Sequence, residues 1–293
     1  MALTSPALTL AVEALWGNVK PVLDGVRKLG FTDFSADRPN LPVKPGATVK
    51  VPISSVAAAA EYNESSNHYR TGGATSWATL TAKHYLQGFD ITGVNVDQGV
   101  DAARMKQLFT MRAGAGIAMA VQAGVKTALD GTKDSTAVTL KAAGTATVDD
   151  YLNIADKVEW LDRASACLAV NGSELGAIKA KLAAANIVGT PSELAAYMGF
   201  KDIVLVPGMS ARMCIVPAGT LGLIARVPEI IARYMEVGTE TDPDTGLSVG
   251  IVVADDQDHN RLIANADIWF GVATLSAPAT AGTAGIVKIP AAG

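Results

Sequence analysis

The residues of this 293-residue chain that could support specific chemistry are three histidines, two cysteines and a set of aspartates near the C-terminal end. His68, His84 and His259 have no second His or Cys at ligand spacing, so neither a zinc-protease nor a zinc-finger pattern forms. His68 and His259 fall in polar turn sequences, where a solvated imidazole is the ordinary case, and His84 falls on a strand. Cys167 (ASACLAV) and Cys214 (ARMCIV) sit in apolar runs without a CxxC, the context of buried free thiols rather than of a nucleophile or a bridge. Asp242, Asp244, Asp255, Asp256 and Asp258 offer the oxygen ligands a calcium ion prefers, but their spacing is not that of an EF-hand loop. DPDTG and DDQDHN are good turn sequences, and turn formation accounts for those aspartates. RAGAGIAMA supplies a GxG without the third glycine, inside a helical pattern instead of at a strand-to-helix turn. The expectation is therefore no catalytic constellation, no metal site and no cofactor, in a protein that is not an enzyme.

Bulk composition agrees with a surface-using protein. Half the chain is hydrophobic (49%), yet only 5% is aromatic, so Ala, Val, Leu and Gly supply most of the apolar mass. That suits thin layers and close backbone approach better than an aromatic-lined pocket. The net charge of −4 is shared unevenly: the first 150 residues carry 14 cationic and 13 anionic side chains, the remainder 10 and 15. Neither part has the concentrated basic footprint of phosphate neutralisation, which argues against sequence-specific nucleic-acid binding. No apolar run reaches a membrane span, and MALTSPALTLAVEALW lacks a basic signal-peptide region; the chain reads as a cytosolic product.

The elements that would position these residues come in a distinctive order. Residues 4–30 are a short helical candidate, and FTDFSADRPNLPVKPG, with Pro39, Pro42 and Pro45, is an extended arm. VKVPIS and TSWATLTAKHYLQGFDIT form a hairpin candidate over 47–92 with a polar tip (AAAAEYNESSNHYRTGGA). On its return strand Trp77, Thr79, Thr81, Tyr85, Phe89 and Ile91 share one face, interrupted by Lys83 and Gln87. A long helix over 97–129, capped by Asp97, should follow, with Val100, Leu108, Met111, Ala115, Ala118 and Met119 as its apolar face and an end near Asp130-Gly131. Gly114, Gly116 and Gly124 each cost a helix interior roughly 1 kcal/mol, so close packing is expected there and a larger side chain at Gly116 should be rejected. Residues 136–227 read as a mixed α/β unit: helices around 148–165, 173–184 and after Pro191, with strands ACLAVN, DIVLVP, MCIVPA and TLGLIARV. Strands over 229–275 surround the turns TDPDTG and DDQDHN, and GIVKIP is a final short strand.

This order resembles the major capsid protein family of tailed bacteriophages, the Hong Kong 97-type fold. The carriers are TDPDTGLSVGIVV followed by ANADIWFGVATL, and VKVPIS with ATLTAKHYLQGFDIT ahead of a long helix, so that the resemblance covers most of 45–289. It implies an α+β fold with 1–44 as N-terminal arm, 45–92 as extended β-hairpin loop, 93–135 as the spine helix of a peripheral domain, 136–227 as a mixed α/β axial domain, and 228–293 as returning peripheral strands and tail. It implies a subunit that assembles with many copies of itself, as pentamers and hexamers, into an icosahedral head enclosing double-stranded DNA without sequence-specific binding. Separate scaffolding, portal and decoration proteins would be partners, and the location would be the virion, after synthesis in the host bacterial cytoplasm. Subunit-interface candidates are Arg70, Trp77, Lys83, Tyr85 and Phe89; spine-helix packing would fall on Gly114, Gly116 and Gly124. Some relatives join subunits through a lysine and an asparagine; Lys83 is the one lysine between Lys50 and Lys106, but no matching asparagine is identified and that chemistry is not carried over. The same fold builds bacterial encapsulin compartments around protein cargo, the nearest alternative. An α/β small-molecule-binding enzyme is the alternative from another class.

Overall fold

The computed structural model describes residues 17, 20–21, 24–25, 28–33, 48–54, 75–92, 102–135, 138–142, 145–158, 165–185, 190–226, 236–241, 248–256, 261–275 and 285–290. Arg70, Asp97, the Pro-rich stretch, the hairpin tip, Asp242, Asp244 and Asp258 lie outside these, whereas Asp255 and Asp256, read from the sequence as turn residues, end strand Ser248–Asp256, where pairing with Leu262 and Arg261 extends the ladder.

One long helix stands between two sheets. This helix, α1 (Ala102–Asp130), buries Ala113, Ile117, Val121, Val125 and Leu129, a ladder four residues apart that makes a single inward stripe. The sequence reading misplaced part of that face. Met111 and Met119 are exposed, as is Ala115. The reason is degeneracy: in RAGAGIAMAVQAG small apolar residues recur on every side of the helix, and the branched Ile117, Val121 and Val125 select the buried side. The helix ends where expected, and its last carbonyls find partners. Lys288 Nζ donates to the Asp130 carbonyl at 2.9 Å, placing a cation at the negative end of the helix dipole.

The larger sheet contains β1 (Thr32–Asp33), β4 (Lys83–Thr92), β8 (Leu221–Arg226), β9 (Glu236–Thr241), β10 (Ser248–Asp256) and β11 (Arg261–Thr274). Its axis is β11: β4 pairs with residues 261–270 along one edge, while β10 (261–267) and then β8 (269–274) share the other. Before it stands a separate two-stranded hairpin, β2 (Thr48–Ser54) with β3 (Thr75–Thr81), paired from Thr48↔Thr81 to Ser54↔Thr75. Thus the expected 47–92 hairpin is divided at Ala82. Its outer part is the hairpin, whereas 83–92 is an integral strand of the body.

The smaller sheet runs β12 (Val287–Ile289), β7 (Met213–Val216), β5 (Cys167–Val170), β6 (Asp202–Leu205). The parallel β5–β6 crossover is made by α3 (Gly172–Ala184) and α4 (Pro191–Tyr197). A short helix, α2 (Val148–Leu152), precedes it, followed by a single 3-10 turn over Asp156–Val158; the expected helix over 148–165 is interrupted at Asn153. Sequence signals fix these starts. Thr147 with Asp150, and Thr190 with Glu193 and Pro191, form capping boxes, and Asn171 caps α3. β8 joins the larger sheet and β12 the smaller, so the sheets are divided differently from the 136–227 and 228–293 segments.

Strict alternation ties the layers together. On β5 and β7, Leu168, Val170, Met213 and Ile215 pack with α2, α3 and α4, including Tyr151, Ile178, Leu182 and Leu194. Cys167, Ala169, Cys214 and Val216 face the other way, into the core that α1 shares with Leu223, Ile268 and Phe270 of the larger sheet. Leu29, in what reads as the arm, is buried in that same core, and Thr32–Asp33 pairs in parallel with β8. The arm's root therefore belongs to the body. Both cysteines are buried and free, and desolvation pushes the Cys214 thiol up to about 12.

Candidate subunit interface

Two faces of the larger sheet differ in cover. Even-numbered residues of β11 (Ala266, Ile268, Phe270) lie under α1, and on the opposite face Trp269 and Ala273 meet the hairpin. There Val51, Leu80 and Ala82 close over Trp269 and Ile224. Within β3 the small residues therefore point inward: Ala78 and Leu80 are buried, whereas Trp77 is 62% exposed and Thr79 is exposed beside it. Trp77 thus stands on the outward face of the hairpin, whereas Tyr85 belongs to the α1 face of the larger sheet.

The structure brings together three of the sequence candidates. Lys83, Tyr85 and Gly124 line one shallow groove with Thr81, Thr127 and Phe270, between the end of α1 and the root of the hairpin. Lys83 is exposed and pairs opposite Phe270. Tyr85 is half-buried against the α1 core, and desolvation pushes its phenol up. Trp77 stands apart on the outer hairpin, and Phe89 pairs opposite Ala264. Gly114 is buried within α1. A Cβ at Gly124 would lie 2.8 Å from Cε1 of the buried Phe270 ring; at Gly116 it would meet the Gln87 side chain at 3.0–3.3 Å.

Sequence reasoning missed three features of this region. Gly271 sits where the chain leaves the sheet for the hairpin: a Cβ there would lie 2.9 Å from the Thr81 carbonyl carbon and 3.1 Å from Ile224 Cγ2. A glycine inside a strand (WFGVAT) is the signal that could have found it. The second is the exposed apolar stripe of Met111, Ala115 and Met119 on the outer side of α1. The third is a polar cluster on the hairpin face. The His84 ring stacks on Trp269 at 5.4 Å between centroids, with Nε2 3.8 Å from Asp267 Oδ1, too far for a hydrogen bond. Burial pushes the Asp267 carboxyl up, against the lowering influence of His84.

Polar groups elsewhere are closed on themselves. Arg212 donates to both carboxylate oxygens of Glu174 (2.8 and 2.7 Å) and to the carbonyls of Leu140 and Lys141, while the Tyr151 hydroxyl donates to Glu174 at 2.8 Å. Burial and the neighbouring Glu174 push the Tyr151 phenol up to about 12. Asp130 loses some solvation, which acts upward, yet bonds from Ser210 and Ala211 hold its carboxyl below the usual range. A second groove, of about 280 Å³, lies between Lys28, Gln122, Val125 and the edge of β6. Among the described residues no helix is long and apolar enough to cross a membrane.

No protein-family model matches this sequence, and no curated protein matches it. Solved structures do. A chain of the capsid of a native GTA particle superposes with a TM-score of 0.58 at 14% identity, over 92% of this chain and 90% of that one. A virus-like particle from Pyrococcus furiosus gives 0.54 at 10% identity, over 97% and 100%. Mycobacterium phage Che8 gives 0.52 at 15% identity, over 86% and 87%. The α+β layers described above are thus laid out along nearly the whole chain as they are in these structures, and the chain has a capsid fold.

Proposed function

We propose that this protein is the major capsid subunit of a tailed bacteriophage, a structural rather than enzymatic protein of the Hong Kong 97 type that assembles into an icosahedral head around double-stranded DNA. The observation that carries this reading is the capsid fold over nearly the full length, joined to a body that leaves large apolar side chains uncovered on its own, Trp77 above all. On this reading 1–44 is the arm, 45–92 the extended loop with its root anchored through β4, 93–135 the spine region, 136–227 the axial domain and 228–293 the return to the periphery. The smaller sheet would crowd the five- and six-fold axes, with Arg70, Trp77, Lys83, Tyr85 and Phe89 at contacts between copies. Gly114, Gly116 and Gly124 belong to the packing of the spine. Scaffolding, portal and decoration proteins would be separate partners in the virion, assembled in the host bacterial cytoplasm. Negative net charge suits a wall that confines DNA without holding it.

The chain covers the Pyrococcus furiosus virus-like-particle protein end to end, which favours one second reading: an encapsulin-type compartment around protein cargo. Electron microscopy of the purified chain tests both. Closed particles or rings of five and six copies are expected; a strict monomer under assembly conditions would count against either shell. Nuclease-protected DNA in particles from infected or induced cells favours the phage head, and a co-purifying protein cargo favours the compartment. Deleting residues 58–74 should leave the melting temperature of the free subunit within a few degrees and reduce particle yield sharply.

A further inference from the structure

The outer side of α1 carries an uncovered apolar stripe set among cations. Met111 is 41% exposed and Met119 69%, and Ala115, exposed between them, leaves a gap four residues from each. The stripe runs on through Ala123 to Thr127, which line the shallow groove shared with the exposed Lys83. At about 100° per residue, Arg104, Arg112 and Lys126 fall within about 60° of Ala115, on the side of the stripe. Arg112 is exposed, and so is part of the Lys126 side chain. Asp130 is the one anion of the helix; Lys126 reaches it only at 3.7 Å, and Ser210 and Ala211 donate to its carboxylate. With Lys106 the helix holds four cations against that one anion, in a chain whose net charge is −4.

A convex stripe with a small residue between two flexible thioethers takes a side chain of an opposing helix into its gap, and methionine adapts to what it meets. The surrounding charge says which helix. The same face of a second copy would set cation against cation, which weakens an isologous pair. Duplex DNA would answer the cations but lay phosphates on the methionines, which gain nothing from them. A helix whose apolar stripe is flanked by Asp and Glu meets both demands.

We infer that the Met111–Ala115–Met119 face of α1 is the docking site for an acidic amphipathic helix of another protein. The site goes beyond the shell reading, because it gives the subunit a partner that is not a copy of itself, and it stands on the subunit alone.

The test titrates free subunits with a synthetic peptide about 18 residues long, enough to span the stripe, with leucines on one helical face and glutamates on the others, read by fluorescence anisotropy. Three controls accompany it: the same composition with the leucines scattered, lysine in place of every glutamate, and a short DNA duplex. Saturable binding of the acidic amphipathic peptide is expected, weakening with salt, with each control about tenfold weaker or more. Met119→Gln should cost about tenfold in affinity at an unchanged melting temperature, since glutamine is as good a helix former and the site is exposed. Arg112→Glu should weaken the glutamate peptide and strengthen the lysine one. No saturable binding, or equal binding of the scattered peptide, overturns the docking site, as does full affinity in Met119→Gln. Preference for the duplex overturns it in favour of nucleic acid, and a loss of particles when Met119→Gln is assembled alone overturns it in favour of a contact between copies. Failure of the unmodified chain to form particles overturns the shell reading and leaves this site standing, because the peptide is bound by free subunits.

Discussion

Both faces of β5 and β7 are buried, one under α2, α3 and α4 and the other in the α1 core, whereas the larger sheet is covered by α1 on one face and only in part on the other. The region of the smaller sheet also closes its charges: Arg212 and Glu174 have side chains only 6% and 3% exposed, and every nitrogen and carboxylate oxygen of the pair has a hydrogen-bond partner. Among the described residues of the larger sheet, Asp267 Oδ1 and Trp269 Nε1 have no hydrogen-bond partner and Leu86 is 54% exposed. One region settles its burial within the chain, and on the shell reading proposed above the other leaves part of it to other copies. Substitutions in the first should therefore be read out as lost folding, and those on the open face as lost assembly.

The largest effect should come from breaking the closed side. Arg212→Met leaves the Glu174 carboxylate buried without its cation, and removing one partner of such a pair typically costs about 3–5 kcal/mol. Urea denaturation of the free subunit measures it. The double variant Arg212→Met, Glu174→Leu should recover most of the loss, because it is the stranded charge and not the missing pair that destabilises. A single variant within about 1 kcal/mol of wild type would erase the proposed contrast. Next comes Gly271→Ala, at the root of the hairpin, where the added methyl meets the Thr81 backbone. Overpacking of this kind costs about 1–3 kcal/mol and backbone cannot rotate aside, so the upper end is expected, with the hairpin displaced from Trp269 and a changed tryptophan emission.

The same contrast explains what could be read from the sequence. Elements whose signals are local were legible: the end of α1 at Asp130, strand β5, and helices α3 and α4. The buried face of α1 was half legible, since Ala and Gly repeat all round it. Sheet membership was not, because β8, β12 and β4 are placed by partners distant in the sequence: Val287 pairs with Ile215, and Tyr85 with Ile268. The break at Ala82 follows from a backbone crossing at Gly271, and the His84–Trp269–Asp267 cluster exists only through the β4–β11 register. No pattern inside either strand announces it.

A smaller effect separates two glycines of one helix. Gly116 was expected to reject a large side chain such as leucine; its neighbour is the exposed, flexible Gln87, whereas Gly124 faces the buried ring of Phe270. Alanine is the better helix former by about 0.8–1.0 kcal/mol at both positions. At Gly116 that gain should appear nearly whole, as a neutral or raised melting temperature. At Gly124 an overpacking cost of about 1–3 kcal/mol should exceed it, for a net loss of about 1 kcal/mol or more. Equal effects of Gly116→Ala and Gly124→Ala would mean that the ring can move and that the helix face is looser than the core around it.

The smallest effect is a pH dependence on the open face. Burial raises the Asp267 carboxyl above its unfolded value near 3.9, so the folded subunit binds a proton there more tightly than the unfolded chain does. The stability this provides is fully present below the unfolded value and is lost as pH rises through the folded one. Asp130 and Asp202 act in the opposite sense: hydrogen bonds and, at Asp202, the Lys28 ammonium at 2.8 Å outweigh their partial desolvation, so they lose stability as pH falls. The whole-protein curve mixes these signs, and the difference between wild type and Asp267→Asn isolates one. Free Asp267→Asn subunits should gain on wild type in melting temperature as pH rises from 4 to 7, because only the wild type acquires a desolvated charge. A flat or falling difference between pH 4 and 7 would show that the Asp267 carboxyl is not desolvated in the folded subunit.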